Sequence, residues 1–314
     1  MKRILITGGA GFIGYHLTRK LVDLNYKIFL IDNLSRGKKD KFLKKLLKNK
    51  NVKLLRHDLN KKLKYTNNFD YIFHLAAVVG VQNVKINPIS TLRNNILPLF
   101  NIIEFTKNSK TKIIFFSTSE VYSPMIKKKI IKFPLSENNE IILPLSTSNR
   151  DTYFISKIFC EKILQSSKIN YLILRPHNIY GPRMGYSHVI PELIEKFNKK
   201  KIVNLFSPSH TRAFCYIDDA IHQIIELSFK KNTNNRIFNI GNQKEEIKIY
   251  NLGKKISILL KSKKKIIKRK DTLGSPYRRV PNMKKTLSYI NYKSFTDLDS
   301  GLKKTINWYK NEKD

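Results

Sequence analysis

Residues 7–14 read Thr7-Gly8-Gly9-Ala10-Gly11-Phe12-Ile13-Gly14. A short apolar run over 3–7 leads into them, and a helix-like stretch over 13–24 follows. A glycine-rich turn between a strand and a helix is the geometry that a dinucleotide requires. Gly8 allows the tight turn, Gly11 lets backbone N–H groups approach a pyrophosphate, and Gly14 lets the helix pack closely on the sheet. The helix N-terminus then offers its positive dipole end to the phosphates. A second apolar run over 27–31 ends at Asp32. A carboxylate there accepts hydrogen bonds from a ribose 2′-hydroxyl and repels a 2′-phosphate, which favours NAD over NADP. Arg36, close by, is the counter-signal.

Outward from this turn the elements keep a regular order. Apolar runs over 52–56, 71–75, 112–116 and 171–174 read as strands, and 92–106 and 152–165 read as helices. Strands alternating with helices imply βα units and a parallel sheet. The strands are continuous apolar runs, as expected of a sheet covered on both faces. After Arg175 the rhythm breaks: prolines punctuate shorter elements, with one further helix over 218–229 and one strand over 236–240. The fold expected is α/β, a doubly wound parallel-sheet dinucleotide domain over 1–175 with contributions from about 214–240. A smaller, mixed α/β substrate domain is expected over 176–314. Residues 127–148 read as a loop-like insertion.

Composition narrows the function classes. Hydrophobic content of 41% is a globular value, not that of a disordered tail. The formal net charge is +38, but 48 of the 61 basic residues are lysines spread along the chain. That spread reads as a solvated surface that draws in acidic metabolites, not as a nucleic-acid site. Cys160 and Cys215 give neither a disulfide framework nor metal-ligand spacing, so no metal and a reducing, cytoplasmic setting are expected. No run approaches the length of a membrane span or a signal-peptide core.

Tyr153 and Lys157 stand four apart in a helix-like stretch, so both face the same way. A phenol titrates near ~10, too high for a base at neutral pH. A neighbouring ammonium and the positive nicotinamide ring of NAD stabilise the phenolate and lower that value. Such a tyrosine takes a proton from a substrate hydroxyl while hydride leaves the carbon. Ser117-Thr118-Ser119-Glu120 follows the fifth strand, at the strand end where open α/β sheets bind ligands.

With these features in register, the chain resembles the extended short-chain dehydrogenase/reductase family, specifically its NAD-dependent nucleotide-sugar epimerases, dehydratases and decarboxylases. The matching pieces run TGGAGFIG from Thr7, DNLS from Asp32, HDL from His57, HLAA from His74, STSEVY from Ser117 and YFISK from Tyr153. RPHNIYGPR from Arg175, RAFCYIDDA from Arg212 and RVPN from Arg279 complete the set. The resemblance implies Tyr153 as catalytic base, Lys157 as its pKa modifier and Thr118 as the hydroxyl that bonds the reacting sugar oxygen. Around NAD it implies Gly8, Gly11, Phe12, Ile13, Gly14, Asp32, Asn33, Asp58, Leu59, Leu75, Ala76, Ala77 and Asn95, with Tyr153 and Lys157 at the nicotinamide end. Asn178, Arg212 and Arg279 fall where the substrate's nucleoside diphosphate is held, and Val189 where backbone meets the nucleobase. Guanidinium groups suit phosphate by their bidentate geometry. His74 and His177 are expected to be structural or pocket-lining. A homodimer is the expected assembly.

The departures bear on the reaction. Pro98 and Ser123 stand where the family usually has glycine, and Asn282 where it has Asp. The 4,6-dehydratases carry Thr-Asp-Glu where this chain has Thr118-Ser119-Glu120, so the acid that protonates departing water is missing. The first expectation is a 4-epimerase of a nucleotide sugar, most simply a UDP-sugar, with a transient 4-keto sugar and recycled NAD. The alternative is a UDP-glucuronate decarboxylase, or another dehydratase on the same scaffold, in which Glu120 joins the catalytic group. A remote third is a non-catalytic NAD-binding protein with a polyanion-binding surface.

Overall fold

The computed structural model describes residues 1–64, 68–144, 148–292 and 294–311. In chain order the first half is β1 (Arg3–Thr7), α1 (Phe12–Asp23), β2 (Lys27–Asp32), α2 (Lys41–Leu46), β3 (Val52–Arg56), β4 (Tyr71–His74), α3 (Val81–Ile86), α4 (Pro88–Thr106) and β5 (Lys112–Phe116). Then come α5 (Ser123–Lys127), α6 (Thr152–Ser166), β6 (Tyr171–Pro176), β7 (Ile179–Tyr180), α7 (Val189–Lys199), β8 (Ile202–Leu205), β9 (Thr211–Ala213), β10 (Cys215–Tyr216) and α8 (Ile217–Phe229). The chain continues with β11 (Arg236–Ile240), β12 (Glu246–Lys248), α9 (Ile249–Leu259), β13 (Lys265–Lys268), β14 (Arg278–Arg279), α10 (Lys284–Tyr289) and α11 (Leu298–Asn311).

Seven strands form one sheet in the order β3-β2-β1-β4-β5-β6-β11. The pairings from β3 across to β6 are all parallel. At the far edge the Asn235 amide bonds the Tyr171 carbonyl and the His177 amide bonds the Ile240 carbonyl, so β11 runs the same way. The chain winds outward from β1 to β3, then returns to the other side of β1 at β4. That reversal places the ligand crevice of an open α/β sheet at the C-terminal ends of β1 and β4.

Both faces of the sheet are covered. In β1, Ile4 and Ile6 point to one face and Leu5 to the other, and all three are buried. One core layer joins Leu5, Ile31, Ile72, Ile113, Phe115 and Ile173 of the sheet to Leu99 and Ile102 of α4 and Cys160 and Leu164 of α6. Full burial of each such aliphatic side chain contributes roughly 1.5–3 kcal/mol. The chain divides into two compact units: residues 1–121, 143–175 and 224–238, and residues 122–142, 176–223 and 239–314. The second unit holds three small sheets, β10-β7, β12-β9-β14 and β13-β8. In it α7 and α9 pack on β8, and α11 packs on α9 and β10.

Some elements differ from the sequence expectation. Helix α4 begins at Pro88, not near 92, because proline at a first helical position sacrifices no hydrogen bond. Pro98 sits buried inside that helix. The second unit's strands span two to four residues, too short to carry a readable period. The insertion expected over 127–148 includes residues 145–147, which lie outside the described residues. In its described part Leu135 bridges Pro281.

The glycine turn is set by contact distances. Gly8 has φ +69°, and a Cβ there would come within 2.8 Å of the Ala76 amide nitrogen. A Cβ on Gly14 would stand 2.5 Å from the Gly8 carbonyl oxygen and 2.8 Å from the Gly9 Cα. Both neighbours are backbone and cannot rotate aside. Gly14→Ala is therefore expected to lower the unfolding free energy by roughly 1–3 kcal/mol, the usual penalty of overpacking. Urea denaturation measures it, and a variant as stable as the wild type would show that α1 can shift outward freely.

Candidate active site

The first unit gathers most of the expected cofactor residues at the C-terminal ends of β1, β2 and β4. Phe12 and Ile13 begin α1, whose N-cap is Gly11 in extended conformation. With no side-chain cap bond there, the first amides of a 12-residue helix remain oriented toward the turn. Asp32 is nearly buried at the end of β2. Its Oδ2 accepts from the Ala10 amide at 3.0 Å and its Oδ1 from the Leu34 amide at 2.8 Å. These bonds fix the carboxylate beside the glycine turn, and each oxygen keeps a lone pair for a ribose hydroxyl. Asn33 is exposed and caps its own loop, its Oδ1 accepting from the Ser35 amide and hydroxyl.

Asp58 is exposed, and its Oδ1 accepts from the Asn60 amide and side chain. Leu59 is buried, with its carbonyl held by Asn101 of α4 at 2.7 Å. Leu75, Ala76 and Ala77 follow β4 as half-buried backbone. Asn95, expected at the cofactor, is buried and braces its surroundings. It accepts from the Val78 amide at 2.7 Å and donates to Ser156 Oγ at 2.9 Å. Its amide thus ties the loop after β4 to α6. The sequence carries no local signal for this, since the two partners lie 17 and 61 residues away.

A buried hydroxyl–imidazole pair secures the same crevice. The Ala76 amide donates to Thr7 Oγ1 at 3.2 Å, and the Thr7 hydroxyl is hydrogen-bonded to His74 Nδ1 at 2.8 Å. Burial, with Lys157 adding to it, pushes His74 down to about 3, so the imidazole is uncharged. That state suits a structural role and excludes an acid acting at neutral pH.

The reactive group stands where β5 meets α6. Tyr153 lies half-buried in the first turn of α6, where the positive helix end favours a phenolate. One turn on, Lys157 is 3% exposed. Its Nζ donates to the Phe116 carbonyl at 2.7 Å and lies 4.7 Å from the centre of the Phe115 ring. Burial lowers the ammonium to about 8, opposed by the negative character of Cys160 and Glu161. Thr118 is buried, and its Oγ1 accepts from the Glu120 amide at 3.2 Å in the short helical turn Ser119–Tyr122. Arg36 is an electrostatic neighbour of Tyr153; burial lowers its guanidinium and the Tyr153 charge raises it.

In the second unit, β9 and β14 run parallel with Arg212 opposite Arg279. Both arginines are 8% exposed. Arg212 donates to the Thr211 carbonyl at 2.7 Å and to Ser275 Oγ at 2.9 Å. On the opposite face Arg278 pairs with Glu246 through two bonds of 2.8 Å. Arg212 and Arg279 thus leave neighbouring strands on the same face of this small sheet. Asn178 holds φ +40° and donates from Nδ2 to the Ala213 carbonyl at 3.0 Å, next to Arg212 in sequence. Val189 is the first residue of α7. Among the described residues no cluster of His, Cys, Asp or Glu is arranged for a metal, and no helix is long and apolar enough to cross a membrane.

The buried lysine gives a signed pH prediction. Its folded value of about 8 lies below the unfolded value near ~10.4, so the unfolded state binds more protons between them and stability rises with pH across that window. Lys157→Met removes this contribution. The wild type should gain about 3 kcal/mol on the variant between pH 8 and 10.5, measured by urea unfolding at a series of pH values. A difference that stays constant with pH would mean the amine is solvated.

The chain is similar over nearly its whole length to proteins named as nucleotide-sugar enzymes. It is 31% identical to the UDP-N-acetyl-alpha-D-glucosaminuronate decarboxylase of Bacillus cytotoxicus, with 98% of each chain covered. It is 32% identical to a putative UDP-glucose 4-epimerase of Methanocaldococcus jannaschii, again with 98% of each covered. The crystal structure of UDP-glucuronic acid 4-epimerase from Bacillus cereus, in complex with UDP-glucuronic acid and NAD, superposes with a TM-score of 0.84 at 25% identity. That match covers 99% of this chain and 100% of the other. The sequence model of the NAD dependent epimerase/dehydratase family matches residues 4–241. The chain belongs to the NAD-dependent epimerase/dehydratase family of nucleotide-sugar enzymes.

Proposed function

We propose that this chain is an NAD-dependent 4-epimerase of a UDP-sugar. The observation that carries the reading is the placement of Tyr153 and Lys157 on one face of α6, with the Lys157 ammonium held at the end of β5, just before Thr118. The cradle supports the cofactor: backbone contacts at Gly8 and Gly14 leave no room for side chains, and Asp32 is fixed beside them. Gly8, Gly11, Phe12, Ile13 and Gly14 would hold its pyrophosphate and Asp32 its adenine ribose. Bound NAD supplies the hydride acceptor at the sugar carbon and returns the hydride.

The chain's own residues supply the proton chemistry. Lys157 and the first turn of α6 stabilise the Tyr153 phenolate. Tyr153 takes the proton of the sugar 4-hydroxyl as the carbonyl forms and gives it back when the hydride returns to the opposite face. Thr118 Oγ orients that same oxygen. Arg212 and Arg279, with Asn178 beside them, take the diphosphate, and the backbone at Val189 takes the nucleobase.

One observation favours a second reading. Glu120 is anchored to Thr118 through its own amide, which ties a carboxylate-bearing residue to the hydroxyl assigned to the sugar. In a UDP-hexuronate, a 4-keto group makes C6 the carboxylate of a β-keto acid. The C5–C6 bond then breaks, CO₂ leaves, and Glu120 directs the proton to C5. The Bacillus cytotoxicus relative is named for such a decarboxylation.

Purified protein with NAD is incubated separately with UDP-glucose and UDP-glucuronate, and the products are separated. A C4 epimer supports the first reading. CO₂ with a UDP-pentose replaces it by the second, and no product from these two or from their N-acetylated counterparts removes both. Tyr153→Phe should cut turnover by about 10²–10⁴-fold with NAD still bound. Retained turnover would displace the assigned base. Asp32→Ala should weaken NAD about tenfold and improve NADP relative to it, read by fluorescence titration. An unchanged preference would move the ribose site elsewhere.

A further inference from the structure

Beneath the reactive group lies a buried charge network that the proton chemistry does not use. Glu161, one turn beyond Lys157 on α6, is 4% exposed, and Arg175 at the end of β6 is 3% exposed. Arg175 Nε donates to Glu161 Oε1 at 3.0 Å and Nη2 to Oε2 at 2.6 Å. The Ser117 hydroxyl donates a short hydrogen bond to the same Oε1. A buried ion pair of this kind is weak evidence for stability, because desolvation offsets its Coulomb attraction. What it does provide is a fixed acceptor. The ion pair holds the carboxylate in one orientation, and that carboxylate holds Ser117.

The position of Ser117 matters because of its neighbours. Phe116, before it, is tied to α6 by Lys157, and Thr118, after it, bonds the Glu120 amide. Two side chains of α6, one turn apart, thus grip consecutive residues of the strand end. The Lys157 tether rests on an ammonium that also has to serve Tyr153. The Glu161 tether has no competing duty. We propose that Glu161, locked by Arg175, is the positioning residue of this site: through Ser117 it fixes the Thr118–Glu120 turn against the helix that carries Tyr153 and Lys157. Its negative charge also opposes the effect of burial on the Lys157 ammonium, in the same sense as Cys160. The inference rests on the proposed reading of Tyr153, Lys157 and Thr118.

Ser117→Ala tests it while leaving the Glu161–Arg175 pair intact, and Ser117→Thr is the conservative control. Two quantities are measured on the full chain with NAD: amide hydrogen exchange at residues 118–120, and kcat and KM on the nucleotide sugar that the wild type turns over. The expected result in Ser117→Ala is at least tenfold faster exchange at 118–120 with α6 unchanged. A kcat at least tenfold lower with KM within twofold accompanies it, and Ser117→Thr restores both. Exchange within twofold of the wild type overturns the proposal whatever the kcat. Faster exchange with unchanged kcat also overturns it, since the turn would then move without consequence. A wild type that turns over no nucleotide sugar removes the proposed function, and exchange alone then decides whether Glu161 holds the turn.

Discussion

Helix α1 lies so close to the sheet that backbone meets backbone at Gly14 and Gly8, and the rest of the first unit is arranged around that approach. The contact fixes where α1 begins, and hence where its unbonded amides point. Gly8 lies equally close to Ala76, so the turn after β1 and the loop after β4 are pressed together. Side chains are excluded from this junction by contact distance. Polar groups close over it by hydrogen bonding: Asp32 to Ala10, Thr7 to Ala76 and His74, and Asn95 to Val78. Under the proposed function, the cofactor's pyrophosphate would meet backbone and helix dipole there.

Farther along the same edge of the sheet, at β5 and β6, the first unit uses the opposite device. Charges are driven into a dry interior between β5, β6 and α6, and each has a specific partner. Lys157 has a carbonyl and an aromatic face. Glu161 has Arg175 and a hydroxyl. Burial opposes the charge on Lys157, and its residual tendency to stay protonated comes from neighbours on its own helix. A phenol one turn away inherits that setting.

How much of this was legible in the sequence depended on distance along the chain. The glycine turn was, because its steric demands are local to eight residues. The Tyr153–Lys157 face was, because a helix turns four residues onto one side. The doubly wound sheet was, since buried parallel strands leave unbroken apolar runs. Short elements of the second unit were not, because two to four residues hold no period. Asn95 was assigned to the cofactor by resemblance, and its brace to Ser156 came only with the packing of α4 on α6. The grip of Glu161 on Ser117 spans 44 residues, and nothing in either local stretch announces it.

Register explains the remaining case. Arg212 and Arg279 were separately assignable to a diphosphate by resemblance, but not as a pair. The parallel pairing of β9 and β14 sets them opposite each other, while Arg278, one residue earlier, turns to the other face and is neutralised by Glu246. A strand shifted by one residue would exchange these roles, pairing Arg212 with a guanidinium already bound to carboxylate. The sheet thus sends two adjacent arginines to opposite faces, one paired with Glu246 and one beside Arg212. Under the proposed function, that shared face would take the diphosphate of a nucleotide-linked sugar, since planar guanidiniums match phosphate oxygens in pairs.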